Sequence, residues 1–376
     1  MKIALLTDSD VFAGTERHIL DLAIELRALE AEPTLVCPAA GALAKRGEAE
    51  GLRVLGIEKR RSLDPQVVAR LAGLWKRSEC EVMHAHNGRM ALHAALARTL
   101  TRRGALVATQ HFLTPARTAR RGLSRVVGQV AHGLTGRAIR RHVAISRAVG
   151  DAMLARGEAP AARLRVVLNG VRDPRTQPIV SRTQTRTRLR LADDAPLIVC
   201  LARLEPEKGL NTLIDAMEIV SKSLPTARCL VAGEGSLEIR LRERLTQLPE
   251  PGFVRLLGFV EDPLSLLAAA DLCVLPSVAE PFGLSLVEAM ALGVPVVSTR
   301  AGGPMEIVHE GKSGLLSLPE DARSLADSIS SILGDDARRA DMGKAARSDF
   351  LARFTARRMA EQMMDVYREA MVQTQN

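Results

Sequence analysis

Short apolar runs alternate along this chain with longer stretches in which apolar residues recur at helical spacing. In the first half, Lys2–Thr7, Thr34–Cys37, Val82–His84, Ala105–Thr109, His142–Ile145 and Leu164–Leu168 predict strands. Between them, Glu16–Leu29, Asp64–Lys76 and Met90–Leu100 predict helices. The second half repeats the arrangement, with strands predicted at Leu197–Leu201, Cys229–Ala232, Val254–Leu257, Leu272–Leu275 and Val294–Ser298. Nearly unbroken apolar strands joined by helices belong to parallel sheets covered on both faces. The alternation lapses once, between Asn169 and Asp194, where Pro174, Pro178 and a polar run of Thr, Gln and Arg predict a linker leading into a helix. The expected fold is α/β, with two doubly wound domains, the first over residues 1–172 and the second beginning at 173.

Composition supports this picture. A chain of 376 residues with 47% hydrophobic content has ample material for more than one core. Aromatic residues supply only 2%, which argues against a nucleic-acid binder, since single strands need stacking platforms. The five cysteines are scattered without C-x-x-C spacing, as expected of small buried hydrophobes in a reducing cytoplasm. After Lys2 the apolar stretch ends at Thr7-Asp8, too short for a secretory signal. No apolar run reaches the roughly 18 residues of a membrane span. The expected location is therefore cytoplasmic.

Candidate chemistry gathers in loops that follow strands, where ligands bind in sheets of this kind. Glu280-Pro-Phe-Gly-Leu-Ser-Leu-Val-Glu288 follows the strand ending at Leu275. Gly283 lets a phosphate approach the backbone, and the helix after it offers unpaired N–H groups. Two carboxylates flank that helix start, fit to accept hydrogen bonds from sugar and ribose hydroxyls; a solvated helix end has the same composition. Arg203 and Lys208 in Ala202-Arg-Leu-Glu-Pro-Glu-Lys-Gly209 suit a diphosphate, although basic loops are common. Ala232-Gly233-Glu-Gly235 and Gly302-Gly303, with Glu306 beyond, place glycines at two further strand ends. Ala13-Gly14-Thr15-Glu16 offers a backbone N–H after the first strand but lacks a full G-x-G-x-x-G motif. His84 and His86 end one strand, and His111 follows another, with no third metal ligand evident beside the first two.

Taken together, these motifs resemble the retaining GT-B glycosyltransferases of family 4. The most specific stretch is Pro276-Ser-Val-Ala-Glu280-Pro-Phe-Gly283-Leu-Ser-Leu-Val-Glu288-Ala-Met-Ala-Leu-Gly293-Val-Pro295, which matches the E-x7-E signature with its flanks. The resemblance implies two Rossmann-like domains facing across a cleft, a nucleotide-diphosphate sugar (UDP- or GDP-sugar) as donor substrate, and no cofactor or divalent metal. It places Glu288 on the donor ribose and Glu280 on the transferred sugar. Arg203 and Lys208 fall to the leaving diphosphate, with Gly14, Gly233, Phe282 and the backbone of Gly283, Leu284 and Ser285 also lining the donor site. Phe259 and Val260, after Gly258, match the base-contacting loop, and His111 matches the active-site histidine. The last helix, within 356–376, is expected to return to the N-terminal domain, leaving 173–355 to bind the donor. Departures are Ala13 for the first glycine of a Gly-Gly pair, Arg172 after Asn169-Gly170-Val171, and the order Pro304-Met305.

One region carries most of the positive charge. Between Glu81 and Asp151 there is no acidic residue and there are twelve arginines, more than the chain's net +9. Within it Leu123, Val126, Val127, Val130 and Leu134 share one helical face opposite Arg121 and Arg125. This predicts an amphipathic basic helix that either packs in its domain or rests on an anionic membrane at the inner face of the cytoplasmic membrane. With the membrane, a lipid-linked acceptor is expected, a glycolipid or envelope polysaccharide precursor; a second possibility is that the basic surface is a groove for a phosphorylated soluble saccharide acceptor. A sugar-nucleotide epimerase without an acceptor, and a non-catalytic sugar-nucleotide-binding module, stay open as alternatives.

Overall fold

The computed structural model describes residues 1–58, 63–113, 135–248 and 252–372. The predicted basic helix, with Arg121, Arg125 and Leu123–Leu134, lies outside the described residues. The chain forms two compact units, Met1–Arg172 with Ala356–Asn376, and Asp173–Thr355.

The N-terminal unit holds a seven-stranded parallel sheet: β1 Lys2–Leu6, β2 Glu32–Pro38, β3 Arg53–Ile57, β4 Val82–Ala85, β5 Ala105–Gln110, β6 Arg141–Ala144 and β7 Leu164–Val166. Their order is β3-β2-β1-β4-β5-β6-β7, so the winding reverses between β1 and β4. Helices start where short polar side chains meet orphan N–H groups: Asp64 accepts from Gln66 N, Asn87 from Met90 N, and Ser146 from Val149 N. The helix Gly14–Ala28 buries Ile19, Leu22, Ala23 and Leu26. Against it and the sheet packs the terminal helix Ala356–Val372, whose Met359, Ala360, Met363, Val366 and Tyr367 form one apolar stripe at 3–4-residue spacing.

The second unit has a six-stranded parallel sheet: β8 Leu197–Leu201, β9 Arg228–Ala232, β10 Val254–Gly258, β11 Leu272–Leu275, β12 Val296–Thr299 and β13 Gly314–Ser317. The order is β10-β9-β8-β11-β12-β13, with the reversal between β8 and β11. The interval 169–194 contains the short helix Arg182–Arg188, capped by Ser181, and is anchored by the fully buried Arg186. Arg186 donates to the carbonyls of Ala192, Asp193 and Ala195 and to Asp271 Oδ2 at 2.8 Å, so this polar run is a fixed part of the second unit rather than a free linker.

Two strands escape the pattern of apolar runs, β3 and β13. Each is paired on one side only. Arg53 is exposed and Val54, Leu55 and Gly56 are half-buried, so β3 does not need the unbroken apolar run of a central strand.

Candidate functional site

In the second unit, the loops after β8, β9, β11 and β12 interlock by backbone contact. Val278 N donates to Glu207 O at 2.8 Å, joining the loop after β8 to that after β11. Gly303 N donates to Glu280 O at 2.8 Å and draws in the loop after β12, while Leu204 N donates to Glu234 O at 2.8 Å. Glycines make these approaches sterically feasible. At Gly209 a Cβ would sit 2.1 Å from Pro276 O, at Gly233 2.0 Å from Ala202 O, and at Gly303 2.3 Å from Phe282 Cα. Gly209 and Gly233 also have φ of +63° and +145°, where side chains are strained.

This frame brings Lys208 and Glu280 together. Lys208 Nζ donates to Glu280 Oε2 at 2.7 Å, and Ser277 Oγ donates to the same oxygen at 2.8 Å. Both side chains of the ion pair are largely buried, 13% exposed for Lys208 and 8% for Glu280. Arg203 lies on the same loop, but its guanidinium is 59% exposed and pairs with Glu207 Oε1 at 2.7 Å. Of the two cations, Lys208 is the one held at the carboxylate.

Gly283 takes φ +110° and starts the helix Leu284–Leu292 without a side-chain cap. Its Leu284 and Ser285 are half-buried, and Glu288 is half-buried one turn on. Phe282 is buried and packs edge-on against Phe354, with ring centroids 6.2 Å apart. Gly233 N donates to Gly258 O at 2.8 Å, setting the turn before Phe259, whose ring is 70% exposed; Val260 is half-buried. An ion pair, a helix start with open N–H groups and an exposed ring beyond β10 thus stand at the carboxyl ends of one sheet. That arrangement can hold a polar anion by its charge and backbone donors.

The N-terminal unit holds the other candidates. Gly14 is exposed at the start of its helix, where Glu16 accepts from Ala13 N at 3.1 Å. His84 is buried between Tyr367, whose Oη lies 2.8 Å from Nδ1, and Thr109, whose Oγ1 lies 2.6 Å from Nε2. His111 is also buried, and its Nε2 meets His86 Nδ1 at 3.1 Å. His18, which the sequence did not single out, packs against both rings, with centroids 5.3 Å from His86 and 4.9 Å from His111. A third imidazole therefore does converge; no local spacing announces it, because helix and strands meet only in the fold. Burial lowers the pKa of His18 to about 4 against an opposing pull from Asn169, and pushes those of His84, His86 and His111 well down. Burial also raises Asp21, three residues after His18, to about 6, against nearby Arg17 and Arg172. All five cysteines are buried and free; burial raises the thiols of Cys37 and Cys80 to about 11 and 12 and those of Cys200, Cys229 and Cys273 as well. Among the described residues no helix is long and apolar enough to cross a membrane.

Residues 12–175 match the family described as Glycosyltransferase Family 4, and residues 181–349 match Glycosyl transferases group 1. A GDP-mannose-dependent monoacylated alpha-(1-6)-phosphatidylinositol monomannoside mannosyltransferase of Corynebacterium glutamicum is 34% identical over 194 residues, 49% of this chain and 50% of that protein. A lipopolysaccharide core biosynthesis mannosyltransferase of Rhizobium meliloti is 29% identical over 82% of this chain and 85% of its own. Against the first several curated relatives the chain spans only about half to three fifths of their length. Among solved structures, Anabaena HepE in complex with UDP and glucose superposes with a TM-score of 0.82 at 27% identity, over 97% of this chain and 98% of that one. With two parallel sheets of this winding and both family matches in sequence, the chain belongs to glycosyltransferase family 4 and has the GT-B fold.

Proposed function

We propose that the protein is a retaining, metal-independent hexosyltransferase that moves a sugar from a UDP- or GDP-sugar to a glycolipid or envelope polysaccharide precursor. The observation that carries the proposal is the Lys208–Glu280 pair at 2.7 Å, in loops tied together at the carboxyl end of the second sheet. A carboxylate for sugar hydroxyls and a cation for diphosphate then lie side by side. UDP in the HepE complex and the GDP-mannose dependence named for the Corynebacterium relative support a nucleotide-sugar donor.

In the proposed reaction the bond between the anomeric carbon and the diphosphate oxygen breaks, and an acceptor hydroxyl attacks from the same face. The electron pair stays with the diphosphate, whose charge Lys208 and Arg203 neutralise together with the N–H groups of Leu284 and Ser285. The departing phosphate takes the acceptor's proton. Fixed cations and dipoles that meet charge as it develops are the main source of acceleration in such a scheme. Glu280 orients the sugar, Glu288 the ribose, and Phe259 with Val260 the base. Gly14 and His111 are assigned to the phosphate and the sugar by the family pattern, and His111→Ala tests that assignment. The phosphatidylinositol monomannoside and the lipopolysaccharide core named for the two relatives support a peripheral location on the inner leaflet, tested by flotation with anionic vesicles at low and high salt.

The decisive experiment measures release of UDP or GDP from a panel of sugar nucleotides, with the acceptor present. Lys208→Ala and Glu280→Ala are each expected to lower turnover by about 10²–10³-fold. Wild-type turnover in Lys208→Ala would refute the proposed phosphate site.

A further inference from the structure

Beside the loop after β12 stands Arg353, half-buried at the end of the helix Asp336–Arg353. Its Nη2 donates to the carbonyl of Glu306, and its Nη1 lies 3.1 Å from His309 Nε2. Guanidinium nitrogens only donate, so Nε2 of His309 accepts and the ring's proton sits on Nδ1, which faces Asp349 Oδ2 at 2.7 Å. The guanidinium plane also covers the ring of Phe354, 4.5 Å from its centroid. A single ammonium cannot hold all three positions, whereas a planar fork can.

The loop that Arg353 grips is the one that supports Glu280. Gly302 bridges Glu280 as in a parallel ladder, Gly303 N donates to Glu280 O at 2.8 Å, and Glu306 N donates to Gly303 O at 2.9 Å. The helix Pro304–Ile307 that follows has four residues, too few to satisfy its own later carbonyls. Arg353 supplies the donor at Glu306. The next residue, Phe354, packs edge-on against Phe282, whose Cα closes on Gly303. The two backbone segments around the Glu280 carboxylate therefore rest on adjacent residues, Arg353 and Phe354.

We propose that Arg353 is a positioning residue for sugar transfer: by holding the Glu306 carbonyl and the His309 ring, it keeps the loop Gly302–Glu306 in place against Glu280 and so sets where that carboxylate meets the sugar. The proposal rests on the assignment of Glu280 to the transferred sugar. Lys208 lies on the loop after β8 and Phe259 beyond β10, so loss of Arg353 should spare the hold on the nucleoside diphosphate.

Arg353→Met and Arg353→Lys are compared with the wild type in two measurements. Hydrogen exchange reads the brace without any substrate. In Arg353→Met, peptides spanning Gly302–Glu306 should exchange at least ~10-fold faster while those of β8 keep their rate, and Arg353→Lys should fall between. On a sugar nucleotide that the wild type turns over, Arg353→Met should lower kcat ~10-fold or more, with the Kd for free UDP or GDP unchanged. Lys344→Met, at an exposed lysine of the same helix, should match the wild type in both. Unchanged exchange overturns the brace; faster exchange with unchanged kcat, or an equal loss of nucleotide affinity, overturns its role in transfer. If the wild type turns over no sugar nucleotide, the transferase reading fails and this role with it, and exchange still decides whether the brace exists. Should Arg353→Met not fold, His309→Leu, at a half-exposed ring, replaces it and is expected to show the same two changes in smaller degree.

Discussion

His84 shows how one side chain ties the terminal helix to the first sheet. Its ring spans Tyr367 on the helix Ala356–Val372 and Thr109 on β5, so both nitrogens are satisfied inside the core. Tyr367→Phe keeps the ring's volume but leaves Nδ1 buried and unpaired. That change should cost about 1–3 kcal/mol, read as a lower urea midpoint with an unchanged slope. From sequence, His84 was legible as a histidine ending a strand, but its partners Tyr367 and Thr109 were not. His18 was not legible: it sits mid-helix, and the rings it meets belong to other segments. Lys208 and Glu280 were each legible as candidates, but their contact was not, since it depends on how two loops close on each other.

At the level of elements, the loops of the second sheet depend on glycines that admit backbone against backbone. Gly209→Ala and Gly303→Ala would set a Cβ 2.1 Å from Pro276 O and 2.3 Å from Phe282 Cα. Backbone cannot yield as a side-chain tip does, so the loops must shift. A displacement of about 1 Å is enough to cost ~10²-fold in rate where positioning carries catalysis. Both variants are expected to keep their circular dichroism and lose donor turnover; unchanged turnover would show that the loops tolerate the shift. Central strands were readable as apolar runs, while β3 and β13, paired on one side only, were not. The polar run before Asp194 read as a linker because its composition hides the buried Arg186, whose donors satisfy carbonyls that no sequence window brings together.

For the molecule as a whole, buried histidines make the N-terminal unit sensitive to acid. Above about pH 6.5 their rings are neutral in folded and unfolded chains alike, and stability is complete. Below it the unfolded chain takes up protons that folded His18 and His142 refuse until about pH 4, and that His84, His86 and His111 refuse still lower. Each such ring removes up to ~1.4 kcal/mol per pH unit across that window. Asp21 works in the opposite sense. Raised from 3.8 to about 6, it keeps a proton that the unfolded chain loses, so it offsets about one histidine between those values. The net expectation is a urea midpoint that falls steadily as pH drops below about 6.5. The single tryptophan, Trp75, is buried in this unit and reports it by fluorescence. An unchanged midpoint at about pH 5 would contradict it.

The order of apolar runs and helical stretches was enough to specify two parallel α/β sheets, because burial on both faces demands unbroken apolar strands. The spacing from Glu280 to Glu288 with its glycine was enough to mark the family. Folding decided what needs separate segments to meet: the pairing of Lys208 with Glu280 and the packing of His18 against His86 and His111. Such contacts follow from strand order and loop closure, which act across the chain and leave no local pattern.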